Sequence, residues 1–71
     1  MGTISYFERT VADAAGEGSL EIECGTTGYA GDGPQLFLKI GRESIILSHE
    51  DGEALCSAFA RIAGYFRYAT D

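Results

Sequence analysis

The chain has no tryptophan, one proline, one histidine, two cysteines and only five basic side chains among its 71 residues. Each scarcity narrows what it can do. Cys24 and Cys56 stand 32 residues apart without a CxxC spacing, too few for a disulfide scaffold and, with a single histidine, too few for a structural zinc set. Both are expected as free thiols, and no metal or cofactor is expected. No apolar run reaches the length of a membrane span, and no basic segment leads into an apolar one, so a soluble, cytoplasmic protein is anticipated. The shortage of bases leaves a net charge of −6. Six of the acids fall in residues 1–34 against Arg9 alone. Such a surface is repelled by phosphate backbones and anionic lipid and is drawn to basic protein surfaces.

Catalytic signals are also absent. His49 is followed by Glu50 and Asp51, but adjacent helix residues do not face one another, and no activated serine or cysteine accompanies them. This cluster reads as the start of a helix, and no enzyme is expected. The glycine-rich stretch 25–34 (GTTGYAGDGP) lacks the Lys-Ser/Thr ending of a phosphate loop, carries Asp32 where a base would be needed, and leads into a strand. It reads as a contact loop led by Tyr29, since tyrosine supplies large area at low entropic cost.

What is present is a hairpin running into a helix. Residues 35–40 and 43–48 alternate apolar and polar about Gly41-Arg42, a two-residue loop with glycine first that suits a type II′ turn. In that register Ile40 faces Glu43, Leu38 faces Ile45 and Leu36 faces Leu47, which puts the leucines and isoleucines on one side. Phe37 and Ile46 meet on the other side. Ser48 is a good N-cap, with Asp51 three residues on. From His49 to about residue 69, Leu55, Phe59, Ile62 and Phe66 form an apolar stripe, flanked by Ala58, Ala63 and Ala69, that should cover the hairpin's Leu/Ile face. Arg61 and Arg67 lie toward the helix C-terminus, where cations are favoured.

Upstream, residues 19–24 form an amphipathic strand. Leu20, Ile22 and Cys24 point inward; Glu21 and Glu23 point outward, about 7 Å apart. Residues 3–15 admit two readings. Ile4, Phe7, Val11, Ala14 and Ala15 fit one helical face that stops at Gly16, whereas Phe7, Arg9 and Val11 alternate with Glu8, Thr10 and Ala12 as in a strand. The strand is preferred because a fourth strand offers the helix more apolar surface. The expected fold is therefore one small α+β domain over residues 1–71, an antiparallel sheet of three to four strands packed against one C-terminal helix. The order is β-β-β-β-α, with α-β-β-β-α as the alternative. A domain of this size is near the lower limit of independent stability, and a dimer or tight partner complex would help it.

Two surfaces stand out. On the sheet, Phe37 and Ile46 form a small apolar patch, with Glu21 and Glu23 beside it if the strands pair in sequence order. On the helix, Cys56, Ala60 and Gly64 recur every four residues as a smooth strip where another backbone could approach, a candidate dimer contact.

The run Ile45-Ile46-Leu47-Ser48-His49-Glu50-Asp51, with strands before and a helix after, resembles the end of the single-stranded-DNA-binding transcriptional coactivator fold. That resemblance covers about half the chain. It implies four antiparallel strands and one helix through which the protein dimerises. It also implies a basic, aromatic sheet, and here the sheet carries Glu21 and Glu23 against Lys39, so the architecture transfers and the ligand does not. A short, acidic, cysteine-poor α+β chain without catalytic residues is also similar to many phage-encoded anti-defence proteins, anti-CRISPRs especially. This likeness implies an inhibitor that occupies the basic, nucleic-acid-binding groove of a bacterial effector. Duplex DNA carries one charge per about 1.7 Å, so imitating ~30 Å would take some 18 charges. Any mimicry must be local, centred on Glu17, Glu21, Glu23 and Asp32. The expected function is a non-enzymatic protein-binding module whose contact residues are those four with Tyr29, Phe37 and Ile46; a structural or regulatory homodimer is the alternative, and single-stranded nucleic-acid binding, disfavoured by charge, ranks below it.

Overall fold

The hairpin at the centre of the chain sets the frame. In the computed structural model, which describes residues 2–68, β3 (Gln35–Ile40) and β4 (Glu43–Ile46) pair antiparallel with Phe37 opposite Ile46, Leu38 opposite Ile45, Lys39 opposite Ser44 and Ile40 opposite Glu43. This is the register that the turn chemistry demands. Gly41 takes φ +62°, a conformation glycine adopts without strain. β4 ends two residues short of the expected Ser48, but the Leu47 amide still donates to the Leu36 carbonyl at 2.9 Å, so the pairing carries to the edge of the helix.

Residues 3–12 settle as a strand, β1 (Thr3–Ala12), pairing with β2 (Ser19–Thr27). The sheet runs β1-β2-β3-β4, antiparallel throughout, and is followed by the single helix α1 (His49–Phe66). Between β1 and β2, Asp13 closes the turn: its amide donates to the Gly18 carbonyl at 2.7 Å, and its carboxylate accepts from the Glu17 amide at 3.0 Å.

β2 is longer than its sequence suggests. The expected loop 25–34 shrinks to 28–34, because Gly25, Thr26 and Thr27 pair on both sides, with Ser5, Ile4 and Thr3 of β1 and with Phe37, Leu36 and Gln35 of β3. The cause lies across the strand. The β1 register slips between Ser5 and Phe7, leaving Tyr6 as an extra residue in a bulge. This re-phases β1 so that both Ile4 and Phe7 join the side of the sheet that carries Leu20, Ile22 and Cys24. At the bulge the β1 backbone presses on Gly25: a Cβ there would lie 1.9 Å from the Ile4 carbonyl oxygen and 3.0 Å from the Ser5 Cα. Only glycine fits, which is the reason for a glycine inside a strand.

The helix starts as expected: Ser48 Oγ accepts from the Asp51 amide at 3.1 Å, and Glu50 and Asp51 occupy the first turn. It ends earlier than expected. Arg67 turns into the left-handed region at φ 60°, and the Tyr68 amide donates back to the Ala63 carbonyl at 3.0 Å, closing the helix as a Schellman motif does. Arg67 thus caps the helix rather than lying in its last turn, and Ala69 lies outside the described residues.

α1 rests on the sheet sparsely, against β3. Gly52 is buried at the point of closest approach, its hydrogen facing the Leu36 side chain where a Cβ would sit 3.4 Å away. Leu55 and Ala58 are half-buried just beyond. The rest of the stripe stays open: Phe59 is 55% exposed, Ile62 49% and Phe66 53%. The helix therefore covers only part of the Leu/Ile face, and no apolar side chain among the described residues is fully buried.

Gly25→Ala is expected to push β1 off the sheet, costing about 2–4 kcal/mol as backbone overpacking does. A melting temperature lowered by roughly 10–25 °C, with loss of amide protection at Ile4 and Thr26, is the expected reading.

Candidate interaction faces

The strand register sorts the sheet into two chemically distinct sides. The apolar side carries Ile4, Phe7 and Val11 from β1, Leu20, Ile22 and Cys24 from β2, Leu36, Leu38 and Ile40 from β3, and Ile45 from β4. Its only charges at paired positions are Arg9 and Glu43, and the Arg9 guanidinium lies over the Phe7 ring, 5.2 Å from its centre.

The opposite side is acidic at β1 and β2. Glu8 stands directly across from Glu23, and Glu21 lies one pleat further along, opposite Thr10. Like charges directly opposed in adjacent strands disfavour the pairing. Lys39, on β3 opposite Glu23, supplies one positive charge against these three negative ones. The Ser5 hydroxyl donates to the Glu23 carboxylate and fixes its position. Toward β4 this side becomes apolar: Phe37 and Ile46 line a shallow groove of about 510 Å³ with Thr3, Thr27, Lys39 and Ser44, which also reaches Ile45 at the sheet edge. Glu21, Glu23, Phe37 and Ile46 are thus brought onto one surface, as their alternation implies.

The other expected contact residues lie elsewhere. Glu17 sits in the β1–β2 turn; Tyr29 and Asp32 sit in the loop after β2. Nine strand residues separate the two ends, about 30 Å at 3.3 Å per residue. The four acids Glu17, Glu21, Glu23 and Asp32 therefore do not form one cluster. Tyr29 is 75% exposed. The Asp32 carbonyl is bonded to His49 Nε2 at 3.0 Å, which ties the loop to the helix start and gives His49 a structural partner. Gln35 Nε2 likewise donates to the Leu47 carbonyl at 3.1 Å, beside the same junction.

On α1, Cys56, Ala60 and Gly64 are exposed, and nothing lies within 4 Å of where a Gly64 Cβ would be. Cys24 is half-buried and both thiols are free. Among the described residues, no three His, Cys, Asp or Glu side chains gather as a metal site would require, and no helix is long and apolar enough to cross a membrane.

Two features escape a linear reading. Glu8 belongs to the acidic surface; its outward side was visible in the alternation of residues 7–12, but its partner is set by the length of the turn 13–18. The openness of Phe59, Ile62 and Phe66 depends on where α1 leaves the sheet, and no local pattern encodes that.

Replacing Glu8 by Gln removes the like-charge opposition. The protein should gain about 0.2–1 kcal/mol, read as a melting temperature a few degrees higher in dilute buffer. The gain should shrink in 1 M NaCl, where charges this far apart are screened.

No known protein family, curated protein or solved structure matches this chain.

Proposed function

We propose that the protein is a non-enzymatic binding module that sets its acidic sheet face against a basic protein surface. The single observation that carries this reading is the opposition of Glu8 and Glu23 with Glu21 beside them. Three carboxylates on an exposed sheet face, offset by Lys39 alone, weaken the isolated fold and become favourable when a cationic surface is laid over them. The adjoining Phe37/Ile46 groove adds apolar area beside the charge, the combination of anchor and rim that binding surfaces use.

A net charge of −6 disfavours nucleic acid as the direct ligand and favours a protein that itself binds nucleic acid. Within that class we place the chain as an inhibitor of the anti-CRISPR type, acting in the cytoplasm by occupying the nucleic-acid-binding surface of a bacterial defence effector. The charge is too small to imitate a length of duplex. The mimicry is local, carried by Glu8, Glu21 and Glu23, with Tyr29 and Asp32 at one end of the strand and Glu17 at the other as separate contacts.

The test titrates immobilised protein with purified CRISPR effectors, and in parallel with single-stranded and duplex oligonucleotides, by biolayer interferometry at 100 mM salt. Saturable binding to an effector is expected, competed by that effector's own nucleic acid and weakened at least 100-fold by the double change Glu21→Lys, Glu23→Lys. Circular dichroism should show the variant folded. Binding that survives the charge reversal, tight oligonucleotide binding, or failure of every effector to bind would overturn the reading.

A further inference from the structure

This chain exposes more surface than a compact monomer of its mass. Its accessible area is 5775 Å², whereas a folded monomer of 7.6 kDa is expected to expose about 4,300 Å². The excess, about 1,500 Å², exceeds the ~800 Å² that each partner buries in a standard interface and lies in the range of an obligate one. The shape agrees: the radius of gyration is 13.5 Å, against about 11 Å for a compact chain of this length.

Part of that surface lies on one side of the sheet, while Tyr6 in the bulge, Tyr29 in the loop after β2 and Ile46 on the acidic side are exposed elsewhere. Ile4 is 60% exposed, Leu20 55% and Ile45 60%, and they share the sheet face on which α1 is seated; Phe59, Ile62 and Phe66 continue it along the helix. Beyond the helix C-terminus this surface ends in stacked aromatics, with the Phe66 and Tyr68 rings 5.2 Å apart. We infer that this continuous apolar surface is covered by a second copy of the same chain, each copy's Phe59/Ile62/Phe66 stripe packing over the sheet face that the other copy's helix leaves bare.

Charge selects a second copy. Two molecules of net charge −6 repel wherever acidic surfaces meet. The apolar side of the sheet carries Arg9 and Glu43, one of each sign, and the Leu55/Phe59/Ile62/Phe66 stripe carries none. A two-fold interface brings the same patch against itself, so a patch without net charge is what self-association requires. The acidic side of each sheet then faces outward, clear of the contact. This is a different surface from the Cys56/Ala60/Gly64 strip, which lies to one side of the stripe and remains exposed.

Light scattering coupled to gel filtration decides the stoichiometry. The wild type is expected at twice its 7.6 kDa at 5 µM and above. Phe59→Glu should weaken self-association at least 100-fold, and Ala60→Glu should leave it intact. Because Phe59→Glu could simply unfold the chain, Phe59→Trp provides a second reading in a protein that has no other tryptophan. The indole emission of that variant should be blue-shifted in the dimer and move to the red on dilution. A mass of 7.6 kDa up to 200 µM overturns the inference. So does a dimer dissociated by Ala60→Glu and indifferent to Phe59→Glu, or an emission from the Phe59→Trp variant that is red at every concentration. None of these outcomes depends on the acidic face, so the inference and the proposed function stand or fall separately.

Discussion

One helix of eighteen residues cannot cover the apolar side of four strands. α1 is about 27 Å long at 1.5 Å per residue, and only its first turns lie on the sheet, where buried Gly52 lets the backbone close on Leu36. Everything else about the molecule follows from that mismatch. Folding depends chiefly on burying apolar area, at about 25 cal/mol per Å², and this chain keeps about half of the area its unfolded form exposes, whereas chains of similar length keep about 40%. Its strand pairing and helix caps are complete, and its apolar side is left largely open.

The two sides of the sheet differ sharply in chemistry. Hydrophobic residues gather on one side and carboxylates on the other because strand alternation separates them, and the bulge at Tyr6 keeps β1 in phase with that separation over its whole length. Association through the apolar side leaves a pair of acidic faces directed outward. Under the proposed function, a basic partner of the proposed dimer would meet two equivalent surfaces, so modest contacts at each would combine into firm binding when the spacing matches. The opposed Glu8 and Glu23 weaken the sheet locally, and the Ser5 hydroxyl and Lys39 offset that only in part.

Much of the fold was legible in the sequence because it is encoded by neighbours. The Gly41 turn, the pairing of Leu38 with Ile45 and of Phe37 with Ile46, and the Ser48 cap each depend on residues a few positions apart, and each lies where the pattern puts it. The preference for a strand over a helix in the N-terminal segment holds for residues 3–12, but its stated reason, a fourth strand for the helix to cover, does not, because α1 packs against β3 and the alternation of β1 breaks at Tyr6. What escaped was non-local. Gly25 reads as the first residue of a loop and is instead the one position in β2 that admits the bulged β1 backbone. The stripe from Leu55 to Phe66 reads as core-facing, as helical periodicity always does, but periodicity gives the direction of a face and not what lies opposite it. The acidic surface was visible as Glu21 and Glu23; Glu8 joins it only through a register that the Asp13 turn imposes.

A fold completed by a copy of itself must gain stability as the protein becomes more concentrated. Equilibrium urea unfolding followed by circular dichroism at 1 µM and at 100 µM separates the two cases. If folding and association are one event, the hundredfold increase adds about 2.7 kcal/mol by mass action and raises the midpoint by about 1–2 M urea. A midpoint that is the same at both concentrations would mean that the single chain is stable with its apolar side bare and needs no second copy.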